Sequence, residues 1–350
     1  MRRSAGFKVR AVVLHVDLEK GGDSLEEKLA AFTEAVKAFS ETTGVDVWTK
    51  RVVANPVPPE SFEKAVHALY SAAEPSGINY VAVPQRRPLT PEVLADVMDS
   101  YERLYSSATY DDNSTATLVS TVKALSERSP LMAARYAVSF GGFIQTPYFP
   151  ATATSVEGVS LSLLYPKFLS ENPLSKVSET FSGLAARAEK TLPGFLGIDF
   201  SLSPWEDESV ALLVEKVSGT TLGSPGTIRA IRELNRRINL LAHEARAVGY
   251  NEVMLPLAED NRLKELAKTG QLRFSHLLNY ASYCVAGLDM VVIPDTTEDK
   301  VLENILLDLS EIQKLKGRIL GLRLILAPAE EGDEVEVGFF GKIPVISPLD

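Results

Sequence analysis

Residues Gly197–Ser203 read GIDFSLS, and their alternation decides the fold. Ile198, Phe200 and Leu202 fall on one side of an extended chain; Gly197, Asp199, Ser201 and Ser203 fall on the other. Successive side chains of a strand point to opposite faces, so this segment has one apolar face and one polar face. The same arithmetic applies elsewhere. In KVRAVVLHV, Val12, Leu14 and Val16 oppose Val13, His15 and, one step on, Asp17. In LGLRLIL, Leu320, Leu322, Leu324 and Leu326 oppose Gly321, Arg323 and Ile325, and in EVMLPL, Val253, Leu255 and Leu257 oppose Met254 and Pro256. If the apolar faces meet helices, His15, Asp17, Asp199, Ser201, Ser203 and Arg323 converge on a single interior, where charges need partners.

Such strands recur along the chain between longer helix-periodic runs, the pattern of an α/β protein with a parallel sheet or barrel. The predicted strands are KVRAVVLHV, VDVWTKRVV, INYVAVP, AVSFGGF, FLGIDFSL, EVMLPL, DMVVIP, GLRLILA and EVEVGFF. The predicted helices span 25–42, 59–73, 91–106, 114–127, 227–248, 260–270 and 297–315. Residues 141–170, rich in prolines, aromatics and hydroxyls, are expected to form a long loop or hairpin that covers or enters the interior. No linker or charge block divides the chain, so it is expected to form a single domain with a frayed tip at residues 1–6.

With 350 residues, 45% of them hydrophobic, the chain has ample material for a core. A net charge of -10 and no basic stripe argue against nucleic acid as a partner. Its single cysteine, Cys284, rules out an internal disulfide and fits a reducing cytoplasm. No signal peptide or membrane span is expected, and a homo-oligomer is the default assembly.

Three features point to chemistry. In GTTLGSPGTIRAI (Gly219–Ile231), Ser224 reads as a helix N-cap and Pro225 as the first helical residue. Thr221, Gly223, Ser224, Gly226 and Thr227 would then present N–H groups and hydroxyls to an anion. In MLPLAEDNRLKEL and VIPDTTEDKVLENIL, carboxylates follow strand ends. Glu259, Asp260 and Asp295 are site candidates there, whereas Glu298 and Asp299 read as helix caps, with a capping box between Thr296 and Asp299. The four histidines lack transition-metal spacing; a divalent cation with oxygen ligands such as Asp17 and Asp199 remains open, and no other cofactor is evident. Cys284 lies on the helical apolar stripe Leu277, Ala281, Cys284, Leu288 and reads as an inert buried thiol.

GIDFSLSPWEDES, GSPGT, VMLPLAED, YCVAGLD and VIPDTTED, in this order, resemble the domain of unknown function 711 family, most strongly from Gly197 to Pro328. The resemblance implies a barrel of about ten strands related in fold to pyruvate formate-lyase and ribonucleotide reductase, with an internal pocket. It implies no established activity. EVEVGFFGKIPV does not match a glycyl-radical motif, so radical chemistry is not expected.

The readings carried forward are an enzyme and a binding protein. The first acts on a small anionic metabolite by acid/base chemistry: Arg323 and the Gly219–Thr227 loop bind its acidic group, while Asp199, Glu259 or Asp17 moves protons, with His15 and Ser201 also in the site. The second is a metabolite sensor using the same pocket. A plain structural alternative pairs Asp199 with Arg323, and His15 with Asp17, inside a packed interior.

Overall fold

The computed structural model describes residues 6–20, 22–285 and 287–349. The frayed tip expected at the N-terminus falls mostly outside the described residues. The chain is a mixed α/β structure built on an eight-stranded sheet. In chain order its strands are β1 (Lys8–Val16), β2 (Val47–Ala54), β3 (Tyr80–Pro84), β4 (Leu104–Thr109), β5 (Tyr136–Phe140), β6 (Gly158–Leu164), β7 (Phe195–Asp199) and, after β8 (Val291–Pro294), β9 (Leu320–Leu322). The order across the sheet is β7-β6-β1-β2-β3-β4-β5-β9. From β1 to β5 neighbours are parallel, with helices as crossovers; β6 and β9 run antiparallel to β1 and β5. β10 (Leu324–Ala327) pairs in parallel with β8, and β11 (Glu334–Glu336) forms a hairpin with β12 (Lys342–Pro344).

The expected faces hold in KVRAVVLHV and GIDFSLS, but not in LGLRLIL, where Ile325 joins the leucines in the large core and Leu322 lines the interior beside Gly321 and Arg323. Val12, Leu14 and Val16, like Ile198, Phe200 and Leu202, join the large core beneath the helices. Ala11, Val13 and Val53 pack inward with Ala82, Tyr105 and Phe149. The helices supply the complementary stripes: Leu29, Phe32, Val36 and Phe39 are the buried face of Leu25–Thr43. That helix opens on a Ser24/Glu27 capping box and stops at Gly44, whose φ of 69° no β-carbon favours.

Several expected boundaries move. The predicted helix 91–106 ends at Ser100, and LYSSAT becomes β4, because both its neighbours offer free ladder groups. Residues 141–170 contain β6, whose Val159, Leu161 and Leu163 alternate with Ser160 and Ser162. The preceding part, without helix or strand, is buried from Thr146 to Thr154, so it enters the interior as expected. GLRLILA divides at Arg323 into β9 and β10. EVMLPL forms an isolated bridge only, from Val253 to Leu202, and EVEVGFF ends in a short 3-10 turn, Gly338–Phe340.

Backbone hydrogen bonds also run between the two edges of the sheet. Ile198 donates to Arg246, Met254 donates to Leu202, Val285 to Val253, and Gly321 to Val285. Among the described residues, no helix is long and apolar enough to cross a membrane.

Candidate functional site

The inward faces enclose a cavity of about 340 Å³. β2 contributes Thr49 and Arg51, which alternate inward with Val53, and β4 contributes Tyr105. The buried segment after β5 contributes Tyr148 and Phe149, and the chain beyond β7 contributes Ser203 and Trp205. Trp48 and Phe339 are the exposed members of the wall and mark its mouth.

Arg10 reaches this cavity through a register shift. β1 carries one extra residue against β6 between Val9 and Ala11, a bulge that turns both Arg10 and Ala11 inward while Val9 and Val12 stay under the helices. The Arg10 guanidinium then donates to the carbonyl of Pro204 at 2.6 Å, to Ser203 Oγ at 3.2 Å, and to Glu259 Oε2. Its carbon lies 5.7 Å from the ring centres of both Trp48 and Trp205.

From Glu259 the network continues. Its Oε1 accepts from Arg323 Nη2 at 3.2 Å, and Arg323 also holds Asp289 through two nitrogens, Nη2 to Oδ2 at 2.9 Å. Burial alone would raise the Glu259 carboxyl, but the charges and hydrogen bonds of Arg10 and Arg323 outweigh it and hold the group below the usual carboxylate range. Burial likewise works against the charge of Arg323, and Asp289 and Glu259 more than offset it, so its affinity for its proton rises.

Arg51 is different. Its Nε donates to Thr49 Oγ1 at 2.9 Å, and its carbon lies 5.5 Å from the Tyr80 ring centre and 5.3 Å from that of Phe149. Among the described residues it makes no ion pair, and its two terminal nitrogens have no hydrogen-bond partner. Burial, followed by the positive charge of Arg10, pushes it down to about 10, so it keeps its charge at neutral pH. The cavity wall therefore carries three guanidiniums, Arg10, Arg51 and Arg323, against two carboxylates, Glu259 and Asp289: one positive charge in excess. Tyr105, which burial pushes up to about 12, is a neutral phenol there, and its hydroxyl has no protein partner among the described residues.

The residues singled out from the sequence divide sharply. Glu259, Arg323 and Ser203 line the cavity. Asp199 does not. It lies beneath it, where Oδ2 accepts from Thr146 Oγ1 at 2.6 Å and Tyr250 N at 2.8 Å, and Oδ1 from Ser201 N and Oγ and from Asn251 N. With both oxygens saturated it pins three chain segments together, and neither it nor Ser201 faces the space a ligand would fill. The Asp199–Arg323 pair does not form; Arg323 turns to Asp289 and Glu259 instead. His15 bonds Ser160 Oγ at 2.7 Å rather than Asp17, and burial holds it down to about 3. Asp17 closes a local turn, accepting from Glu19 N.

Asp260 is a double cap. Oδ1 accepts from Ser209 Oγ and from the N–H groups of Arg262 and Leu263, and Oδ2 from those of Val210 and Ala211, so one carboxylate starts the helices Val210–Ser218 and Asn261–Lys268. Asp295 is exposed at the end of β8, away from the cavity.

The expected anion cradle is occupied by the chain itself. The helix begins at Thr227 with Gly226 as its cap, not at Pro225 after Ser224. Ser224 N donates to the Thr221 carbonyl, Thr227 N to the Ser224 carbonyl, and Gly223 N to Thr227 Oγ1. This loop is not part of the cavity wall. Glu298 caps its helix without a side-chain bond, and Asp299 pairs with Lys123 rather than closing a box with Thr296. Cys284 lies on turns after the helix Phe274–Tyr280, not in it; it is buried, and its Sγ donates to the Tyr280 carbonyl. Among the described residues, no group of three or more His, Cys, Asp and Glu is placed to hold a metal ion.

Residues 170–338 match the family model described as Uncharacterised ACR (DUF711). Over that segment, just under half of its length, the chain is similar to the DUF711 family. Similar proteins include a UPF0210 protein of Lacticaseibacillus casei (strain BL23), 24% identical over 95% of this chain and 84% of its own length. A UPF0210 protein of Methanopyrus kandleri is 32% identical over 47% of this chain and 37% of its own. Another, from Oenococcus oeni, is 22% identical over 98% of this chain and 91% of its own. The matched DUF711 segment carries Glu259, Asp289 and Arg323, while Arg10, Arg51 and Tyr105 come from the half before it.

Arg10 and Arg51 are the functional candidates that period-two reading passed over. In VDVWTKRVV, Arg51 alternates with Val53 on the inward face, so the signal for it was present. Arg10 had none, because an unshifted β1 would place it on the face of Val12.

Proposed function

We propose that this chain binds a small organic anion in the cavity, with the acidic group of the ligand on Arg51. The observation that carries the reading is the uncompensated guanidinium: Arg51 is half-buried in the cavity wall without a carboxylate, so its partly desolvated charge gains free energy from an arriving anion. Arg10 and Arg323 are spoken for by Glu259 and Asp289, so they stiffen the wall while Arg51 keeps its terminal nitrogens open.

The circuit of backbone bonds through Arg246, Val253 and Val285 supports a closed barrel of about ten strands around this cavity, the architecture that the likeness to pyruvate formate-lyase implies. A closed wall explains how so many strands deliver side chains to a single enclosed space.

Acid/base catalysis on the same anion is the second reading. Of the carboxylates considered for proton transfer, Glu259 faces the cavity, but two guanidiniums hold it ionised and occupy its oxygens. Tyr105, with an uncommitted hydroxyl, is the better proton donor to a bound anion.

Calorimetric titration of the purified chain with small carboxylates and phosphate esters tests the proposal. Binding that Arg51→Met weakens by about tenfold or more, the worth of a charge-assisted hydrogen bond, is the expected result. If every anion that binds does so equally well to Arg51→Met, the reading fails.

A further inference from the structure

Resting on that anion-binding reading, we infer that the ligand is a planar, unsaturated monocarboxylate held edge-on by Arg51. The charge of the wall sets the first limit. One positive charge in excess is neutralised by one negative charge; a phosphate monoester or a dicarboxylate would leave a buried surplus of negative charge beside Glu259 and Asp289. Among the described residues no lysine lines the cavity to absorb it.

The geometry of Arg51 sets the second. Its Nε is fixed by Thr49 Oγ1, which itself donates to the Arg10 carbonyl at 2.9 Å, so the guanidinium is anchored at one corner. The edge formed by Nη1 and Nη2 is left to match the two oxygens of a carboxylate.

The rings around it set the third. Tyr80, Tyr105 and Phe149 form a connected series, with centroids 5.4 and 5.8 Å apart and planes inclined at 76° and 60°. Tyr80 and Phe149 attend the guanidinium, and Tyr105 stands between them in the series. A flat π-bonded body attached to the carboxylate meets ring faces and edges there, whereas a saturated body of equal size forgoes that complementarity. A volume of about 340 Å³ restricts the body to a small one.

The test uses the full chain and four probes: cinnamate, cyclohexanecarboxylate, succinate and phenyl phosphate, titrated calorimetrically at neutral pH. Both tryptophans, Trp48 and Trp205, stand in the cavity wall, so intrinsic fluorescence gives a second readout for the probes that do not absorb. Cinnamate should bind tightest, with each of the others at least about tenfold weaker, and Arg51→Met should lower its affinity by about tenfold to a hundredfold. Arg51→Lys, which keeps the charge but loses the fork, should fall between. Tighter binding of succinate or phenyl phosphate, still dependent on Arg51, would overturn the monocarboxylate while leaving anion binding intact. Equal binding of cyclohexanecarboxylate would overturn the planar body. Binding of no probe, or binding indifferent to Arg51, would overturn both readings. The ranking on the unaltered chain decides the ligand class even if Arg51→Met fails to fold.

Discussion

Arg323 meets Asp289 edge to edge, Nε on one carboxylate oxygen and Nη2 on the other at 2.9 Å, and the same Nη2 reaches Glu259 at 3.2 Å. One guanidinium thus compensates two buried carboxylates that come from different turns of the chain.

Removing that guanidinium leaves Asp289 without its ion-pair partner and Glu259 with Arg10 alone. Arg323→Met should therefore destabilise the fold by about 3–5 kcal/mol, as for breaking a buried pair. Asp289→Asn should cost less, about 1–3 kcal/mol, since Arg323 keeps Glu259. Urea denaturation midpoints measure both; an Arg323→Met loss under about 1 kcal/mol would mean that water entering the cavity screens the pair.

Asp199 is a fastening point, so its substitution should read out in stability and not in binding. Asp199→Asn turns an amide N–H₂ toward donors that need an acceptor, at a cost of about 2–3 kcal/mol. Gly249→Ala attacks the same place from the other side: its β-carbon would lie 2.1 Å from Asp199 Oδ2 at a φ of +84°. Both variants should melt earlier, and Asp199→Asn should retain anion affinity within about twofold. A folded Asp199→Asn that has lost binding would return this carboxylate to the site.

His15 makes stability depend on pH. Burial lowers it from 6.5 to about 3 in the folded chain, so between those values the unfolded chain binds more protons. Its contribution is therefore complete above about pH 6.5 and drains away as the pH falls toward 3, with a limiting slope of about 1.4 kcal/mol per pH unit. Glu259, held low, adds a loss of the same sign in the carboxylate range, and Asp260, raised mainly by burial, opposes it. The difference between the unaltered chain and His15→Leu, followed by urea denaturation from pH 7 to 4, isolates the histidine. Parallel curves for the two would show that His15 is not held neutral.

How much of this was legible beforehand follows from the range of each interaction. Alternation in GIDFSLS, KVRAVVLHV and EVMLPL is local, since a strand has a period of two whatever it packs against. The sequence alone therefore determined the strand faces of KVRAVVLHV and GIDFSLS, the α/β pattern, the family resemblance, and the inward placement of Ser203 and Arg323. β4 was hidden because LYSSAT has little periodicity of its own and is made a strand by the ladders on both sides.

Which charges meet was decided only by the tertiary structure. Asp199 and Arg323 share an inward parity, yet one is captured by Thr146, Ser201, Tyr250 and Asn251 and the other by Asp289 and Glu259. A single extra residue in β1 brings Arg10 inside against its parity. Parity says which side of a sheet a side chain occupies; the partner it finds, and whether a charge such as Arg51 is left for a ligand, depends on distances among segments far apart in the chain. Those distances exist only once the sheet has curved and the segment from Thr146 to Thr154 has entered it.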